Sequence, residues 1–185
     1  MATRITLICH GSTIATRKTA FPLDEPLEAV AASAAAALGE RLPRPANGQA
    51  LTSPALRCRQ TAELLELSAA VDTGLADWDL GAWAGQTLTE LSAEAPADVQ
   101  AWITDPAAKP HGGEALTSLI ERVGRWLDAA DDRRPRVLAV THPAVIRSAI
   151  VHTLQAPADS FWRIDVSPLG VVEVRGRPGR WSLHT

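Results

Sequence analysis

The sequence predicts an α/β fold, a three-layer arrangement in which helices cover both faces of a mostly parallel sheet. Short apolar or β-branched segments at 4–8, Gln49–Thr52 and Arg136–Thr141 have the character of buried strands. Each is followed by a turn and then by a helical pattern, and this alternation is typical of parallel sheets. A chain of 185 residues is long enough to bury one large apolar core, so we expect a single domain over 1–185.

Between the first two strands the chain is expected to hold one loop and one long helix. Residues 14–22 show no clear period and predict a loop over the end of the first strand. An acidic pair followed by Pro26 predicts the start of a helix over 24–41, whose alanines favour helical structure. A linker loop is expected over 43–49.

After the second strand the pattern changes from helix to strand to loop. Ser53 has the character of an N-cap, and Pro54 would take the first position of a helix over 54–67. Residues 71–75 predict a short strand. The glycine- and tryptophan-rich segment 77–85 predicts a loop that is held by its own aromatic side chains.

Caps and periodicity predict the remaining elements. Thr87 and Glu90 form a capping-box pattern that opens a short helix, and the apolar stripe of 115–130 indicates an amphipathic helix. The other expected elements are a broken helical segment at 96–110, a helix at Pro143–Leu154, and two C-terminal strands at 170–175 and 181–185 joined by a turn.

Polar side chains follow each of the three buried strands. His10 ends the first strand and His142 ends the third. Ser53 follows the second and leads to Arg57, near a helix N-terminus where backbone N–H groups favour an anion. The carboxyl ends of parallel strands meet at one edge of a sheet, so the two histidine rings should lie within about 8 Å of each other. Two histidines and an arginine there predict a phosphate pocket, and a neutral histidine can attack phosphorus.

Charge and hydropathy exclude several classes of partner. The net charge of −3 provides no basic face for nucleic acid. The alanine-rich run at 29–38 is too short to span a bilayer, and no signal peptide is evident, so a cytoplasmic protein without a membrane partner is expected. Two cysteines provide neither a disulfide framework nor a zinc site.

Five segments resemble, in order, the signature blocks of the histidine phosphatase superfamily, which includes the cofactor-dependent phosphoglycerate mutases. The match is closest in Ser-Pro-Ala-Leu-Arg-Cys-Arg-Gln-Thr-Ala at 53–62, which is similar to the family's Ser-Pro-Leu-x-Arg-Ala-x-Gln-Thr-Ala. The other similar segments are Cys-His-Gly at 9–11, Asp-Glu-Pro-Leu at 24–27, the stretch 75–85, and Gly-Gly-Glu at 112–114 together with Val-Thr-His-Pro-Ala-Val-Ile-Arg at 140–147.

The resemblance implies a phosphoglycerate mutase-like fold and a phosphatase that uses no metal or cofactor. His10 would be the nucleophile that becomes a phosphohistidine, and His142 would contact the transferring phosphoryl group. Asp77 would protonate the leaving oxygen and then activate water. The phosphate-binding residues would be Arg57, Gly11 and Cys9. The partner would be a small phosphorylated substrate, and the protein would be a monomer or a homodimer.

Three departures from the family pattern bear on activity. Cys9 replaces the first arginine, so the site loses a charged guanidinium that can donate two parallel hydrogen bonds. A hydrogen bond to a charged group is worth roughly 1.5–3 kcal/mol, so the loss corresponds to about one to two powers of ten in rate or binding. The acid at Asp77 is one methylene shorter than the family's usual glutamate, and Pro143 replaces a glycine and removes a backbone donor. The candidate cations to compensate for the lost arginine are Arg17, Lys18 and Arg59.

Other functions are open alternatives. The strongest is a catalytically degenerate member that binds phosphate or phosphoesters with little turnover, which the loss of the signature arginine favours. A cysteine-dependent phosphatase would need arginine six residues after the cysteine, where Ala15 and Leu64 stand. A mutase is disfavoured because the segment 85–112 is short.

The two cysteines flank the same predicted pocket. Free cysteines usually act as small apolar fillers in a core, which is the favoured interpretation of Cys9 and Cys58. The alternative is that Cys9, beside an arginine and two histidines, is held as a thiolate and is sensitive to oxidation.

Overall fold

A mixed sheet of six strands forms the centre of the molecule, in a computed structural model that describes residues 2–43, 48–130 and 136–184. The order across the described sheet is β3-β2-β4-β1-β5-β6. The first four strands in that order run parallel, and the last two pair antiparallel with their neighbours. The predicted mostly parallel α/β fold is therefore confirmed. The strands are β1 Thr3–Cys9, β2 Gln49–Thr52, β3 Ala70–Val71, β4 Arg136–Thr141, β5 Val171–Arg177 and β6 Arg180–His184.

Helices cover both faces of this sheet. Alternate residues of a strand point to opposite faces, so Leu7 and Ile8 of β1 enter different apolar clusters. Helices α2 and α3 pack on the face of Ile8, and α6 and α7 pack on the face of Leu7. The described helices are α1 Ile14–Lys18, α2 Ala31–Gly39, α3 Leu56–Leu64, α4 Leu88–Glu94, α5 Pro96–Thr104, α6 Leu116–Asp128 and α7 Pro143–Leu154.

The register of the parallel strands brings the polar strand ends to one edge. Cys9 of β1 lies opposite Thr141 of β4. The next residue, His10, donates its backbone N–H to the Thr141 carbonyl at 2.9 Å, and Ser53 donates to the carbonyl of Val140 at 2.9 Å. The residues that follow β1, β2 and β4 therefore lie side by side at one edge of the sheet, as the sequence predicts.

Several predicted elements are confirmed at the residue level. The bounds of β2, β4 and α7 agree with the sequence analysis. Both hydrogen bonds of the Thr87–Glu90 capping box are present at the start of α4. The C-terminal strands form the expected hairpin, although residue 185 lies outside the described residues, as do residues 44–47 of the predicted linker loop. Of the described helices, none is long and apolar enough to cross a membrane.

The predicted helix over 24–41 is wrong, because only Ala31–Gly39 is helical. The acidic residues that suggested its start serve tertiary contacts instead: Asp24 accepts the backbone N–H of Leu56 at 2.7 Å, and Glu25 accepts the hydroxyl of Thr13 at 3.0 Å. The predicted loop over 14–22 is also partly wrong, since Ile14–Lys18 forms α1, with Thr13 as its N-cap.

Two further predictions on the second βα unit are wrong in detail. The third helix begins at Leu56 with Ala55 as its N-cap, so neither Ser53 nor Pro54 takes the predicted position. The Ser53 hydroxyl is hydrogen-bonded to a histidine ring instead. The strand predicted over 71–75 is only Ala70–Val71, followed by a 3₁₀ turn at Thr73–Leu75.

Candidate active site

A cavity of about 480 Å³ opens at the carboxyl edge of the parallel strands. His10 and Asp77 line it, and most of its wall is aromatic or aliphatic. The rings of the wall contact one another, with centroids 5.2 Å apart for Trp78 and Trp102 and 4.7 Å apart for Trp102 and Trp162. Such edge and offset contacts hold large side chains in place, so the cavity is preformed.

The hydrogen bonding of His10 leaves one ring nitrogen available as a nucleophile. Its Nδ1 lies 2.8 Å from the carbonyl oxygen of Gly11. A carbonyl oxygen only accepts, so Nδ1 carries the proton and Nε2 keeps its lone pair. Burial, followed by the neighbouring His142 ring, lowers the pKa of His10 to about 4, so the ring is neutral at pH 7.

The second histidine is held between two polar partners. Nδ1 of His142 lies 3.1 Å from Oδ2 of Asp77, and Nε2 lies 2.7 Å from the hydroxyl of Ser53. The carboxylate accepts, so Nδ1 donates to it. The rings of His10 and His142 meet edge to face with centroids 5.3 Å apart, which confirms the predicted proximity of the two histidines.

Arg57 lies behind the carboxylate rather than in the open cavity. It donates from Nη2 to Oδ2 of Asp77 at 2.7 Å and from Nη1 to the carbonyl of Leu23 at 2.7 Å. Its Nη2 is also 3.3 Å from Nδ1 of His142. The buried Nε has no hydrogen-bond partner within the described ranges. A guanidinium with one unused buried donor is suited to bind a further acceptor.

These contacts set the charge state of Asp77. Burial by itself would raise its pKa, but the contacts with His142 and Arg57 outweigh it and hold the pKa well below its usual range. The carboxyl group is therefore ionised in the empty site. It can accept a proton from water at once, whereas the predicted role as a proton donor requires a change in its surroundings.

Four predicted residues thus come together in one constellation. His10 and Asp77 line the cavity, and Arg57 and His142 lie directly behind Asp77.

The other two predicted residues, Cys9 and Gly11, have no free backbone donor. Gly11 donates its backbone N–H to Thr61 at 3.0 Å, and Cys9 donates its own to the carbonyl of Gly170 at 2.9 Å. Their phosphate-binding role stays a prediction.

Both thiols are buried, and Sγ of Cys58 lies 3.5 Å from Nε2 of His142. Cys9 is 1% exposed in the cluster under α6 and α7, and Cys58 lies in the cluster on the opposite face of the sheet. Burial raises the pKa of Cys9 to about 12 and that of Cys58 also far above its usual value. The desolvation cost therefore exceeds the effect of the nearby positive charge, and both thiols are protonated at neutral pH. This favours the interpretation as apolar fillers over the redox alternative.

The cations that were expected to compensate for Cys9 do not line the cavity. Arg17 forms an exposed ion pair with Glu28 at 2.9 Å, and Lys18 and Arg59 are exposed.

Sequence reasoning missed Arg147, which lines the cavity. The signal was present in α7: Pro143 and Ala144 lie four and three residues before Arg147 and therefore share its helix face, and all three line the cavity.

The lowered pKa of His10 predicts a pH-dependent stability. An unfolded histidine binds a proton below about pH 6.5, whereas folded His10 does so only below about 4. The contribution of neutral His10 to the free energy of unfolding is complete above pH 6.5 and is lost as the pH falls from 6.5 to 4. At pH 4.5 the loss should be roughly 2–3 kcal/mol. We expect urea unfolding at pH 8 and pH 4.5 to show this loss in the wild type but not in His10→Ala, and an equal pH dependence of both proteins would contradict it.

Comparisons with known proteins agree with this geometry. The chain is 30% identical to a bifunctional protein of Mycobacterium tuberculosis over 131 residues, which cover 66% of this chain and 36% of that relative. It is 31% identical to the glucosyl-3-phosphoglycerate phosphatase of Mycobacterium tuberculosis over 146 residues, covering 71% and 63% of the two chains. The chain thus spans about a third of the first relative and less than two thirds of the second.

Solved structures show the same fold over nearly the whole chain. A mycobacterial glucosyl-3-phosphoglycerate phosphatase in complex with VO3 superimposes with a TM-score of 0.82 at 26% identity, covering 99% of this chain and 98% of that one. A putative alpha-ribazole-5'-P phosphatase from Escherichia coli gives 0.87 at 23% identity, with coverage of 100% and 96%. The family model described as Histidine phosphatase superfamily (branch 1) matches residues 5–185. The chain belongs to the histidine phosphatase superfamily.

Proposed function

We propose that this protein is a phosphomonoester hydrolase that acts through a phosphohistidine at His10, without a metal, on a small phosphorylated metabolite. The observation that carries the proposal is the state of the His10 ring. Its Nδ1 proton is fixed on the Gly11 carbonyl, its pKa is lowered to about 4, and its Nε2 lone pair is available at the cavity. A neutral imidazole in this state is a ready nucleophile for phosphorus.

The first step is attack of His10 Nε2 on phosphorus. The N–P bond forms as the ester P–O bond breaks, and the leaving oxygen takes a proton from Asp77. Asp77 takes that proton from solvent when the substrate binds, because the bound phosphoryl group raises the pKa of the carboxyl. The phosphoryl oxygens draw the donors of Arg57 and His142 away from the carboxylate and bring negative charge beside it, and both changes raise the pKa of Asp77. Phosphoryl transfer otherwise needs positioning and positive charge around the equatorial oxygens.

The second step is hydrolysis of the phosphohistidine. Asp77, now a carboxylate, accepts a proton from a water molecule, whose oxygen attacks phosphorus as the N–P bond breaks. Inorganic phosphate leaves and His10 returns to its neutral form. The ionised state of Asp77 in the empty site is the state that this step requires.

The cavity wall favours a leaving group with an apolar part. Phe21, Trp78, Trp102, Phe161 and Trp162 line it, and few polar groups accompany them. Burial of aromatic or aliphatic surface against these rings would provide much of the binding energy. Relatives named as phosphatases include glucosyl-3-phosphoglycerate phosphatases.

The second candidate function is phosphate or phosphoester binding with little turnover. The loss of the signature arginine at Cys9 and the ionised Asp77 favour it. Serine chemistry through the Ser53–His142–Asp77 chain of hydrogen bonds is not a third candidate, because Ser53 is 0% exposed and does not line the cavity.

Hydrolysis of p-nitrophenyl phosphate by the purified protein tests the proposal. We expect turnover that is unchanged by EDTA, because the nucleophile is a nitrogen lone pair that needs no metal for its activation. Release of nitrophenol without loss of rate in EDTA supports the hydrolase. Binding of inorganic phosphate without any nitrophenol release would establish the phosphate-binding alternative instead.

A further inference from the structure

The inner part of the site is close to charge-neutral before a substrate enters. His10 is neutral at pH 7. The charge of Arg57 is opposed by that of Asp77 at 2.7 Å. Both ring nitrogens of His142 already have partners. A phosphate dianion placed here would lose its hydration with no uncommitted cation to replace it, which is costly in a buried site.

Arg147 is the one lysine or arginine among the described residues that line the cavity. It lies on α7, five residues after His142, and its guanidinium carbon is 5.5 Å from the centre of the Phe161 ring. Its carboxylate neighbour Asp165 is 3.9 Å away and 93% exposed, so solvent screens that pair. Its Nε is buried and makes no hydrogen bond to any described residue. The charge and at least one donor of Arg147 are therefore not committed to a strong partner.

Arg147 also lies near the position from which the family's signature arginine is missing. Cys9 ends β1 and packs in the same apolar cluster as Val145 and Ile146, the residues just before Arg147 on α7. The positive charges of Arg147 and Arg57 both act to lower the pKa of the Cys9 thiol, against the larger effect of burial. A guanidinium that enters the cavity from α7 can thus reach the region that an arginine at position 9 would serve.

We propose that Arg147 is a second phosphoryl-binding cation beside Arg57, in a site where position 9 lacks the arginine of the family signature. The proposal rests on the phosphatase function proposed above and adds a residue to its site. Arg147 donates to the equatorial oxygens of the transferring group from the wall of the cavity. The planar fork of a guanidinium suits this contact, and stacking on Phe161 limits the orientations that it can take.

Binding of inorganic phosphate to Arg147→Met tests the assignment independently of turnover. Tryptophans 78, 102 and 162 line the cavity, so their fluorescence reports the titration. We expect phosphate binding to weaken about ten- to a hundredfold, the usual effect of one lost hydrogen bond to a charged group. Arg147→Lys keeps the charge and should lose only part of this affinity. In addition, kcat/KM should fall by a similar factor for every phosphomonoester.

Arg4→Met is a matched control. Arg4 is about as exposed as Arg147, forms one ion pair with Glu173 at 3.5 Å, and begins β1 at the far end from the site. This variant should bind phosphate like the wild type. Adding Cys9→Arg to Arg147→Met should recover phosphate affinity, because the two cations serve the same oxygens.

Two outcomes would overturn the assignment. Unchanged phosphate affinity in Arg147→Met, with the loss of kcat/KM confined to esters with a carboxylate on the leaving group, would place Arg147 on the leaving group. Equal losses of phosphate affinity in Arg147→Met and Arg4→Met would show that the effect comes from the net charge of the protein and not from a contact with Arg147. If the wild type binds phosphate through Arg147 but hydrolyses no ester, the hydrolase proposal fails and this inference stands.

Discussion

His10→Ala is expected to lower hydrolysis of p-nitrophenyl phosphate by about 10³-fold or more, to the background of the assay. His10 is the one histidine among the described residues that line the cavity, and its Nε2 keeps a free lone pair on a ring that is neutral at pH 7. Without it, neither the N–P bond nor the intermediate can form. Steady-state rates of the wild type and the variant at equal concentration measure the effect.

Two further measurements distinguish loss of the nucleophile from loss of the site. Phosphate affinity should fall less than tenfold in His10→Ala, because Arg57 and His142 keep their positions. Wild type quenched in alkaline denaturant, in which the N–P bond is stable, should carry a phosphoryl group on the peptide that contains His10. The exposed His184 at the end of β6 supplies the control, and His184→Ala should retain full activity. Full activity in His10→Ala would disprove the phosphohistidine mechanism.

The sheet and the place of its chemistry were predictable because both depend on local patterns. Buried parallel strands are apolar and β-branched, and β2 and β4 are short segments of this kind between turns. Their polar successors must lie at one edge because the strands are parallel. The proximity of His10 and His142, which are 132 residues apart in the sequence, follows from this rule and not from any contact pattern.

The errors arose where tertiary contacts outweighed local signals. Asp24 and Pro26 resemble a helix start, yet the Asp24 carboxylate accepts from the N–H of Leu56. Ser53 resembles an N-cap, yet its hydroxyl holds the His142 ring. In each case a polar side chain satisfies a partner far along the chain, and no propensity scale contains that information.

The charge state of the site also depends on three-dimensional contacts. An aspartate in a loop is a candidate acid from the sequence alone. Only the contacts of Asp77 with Arg57 and His142 show that it is ionised in the empty site. Arg147 was overlooked for a similar reason: the sequence places it on a helix but does not show that Phe161 and the cavity lie beside it.

Asp77→Asn should change turnover and phosphate affinity in opposite directions. The amide can neither donate the proton to the leaving oxygen nor accept one from water, so kcat for p-nitrophenyl phosphate should fall about 10²- to 10⁴-fold. The same change removes the negative charge that competes with phosphate for Arg57 and His142. Phosphate should therefore bind about tenfold tighter or more, as measured by tryptophan fluorescence.

The stability of Asp77→Asn provides an independent measure of the competition between Asp77 and phosphate for Arg57. Loss of the carboxylate leaves Arg57 buried without its counter-charge, which should cost up to about 3–5 kcal/mol of folding free energy. Saturating phosphate replaces the counter-charge, so it should raise the Tm of Asp77→Asn by more than it raises that of the wild type. Asp79→Asn is the control, because Asp79 is exposed and its carboxylate accepts the N–H of Gly81, away from Arg57 and His142. If Asp77→Asn weakened both kcat and phosphate binding, Asp77 would help to hold the phosphoryl group rather than compete with it, and the two-step proton role would be wrong.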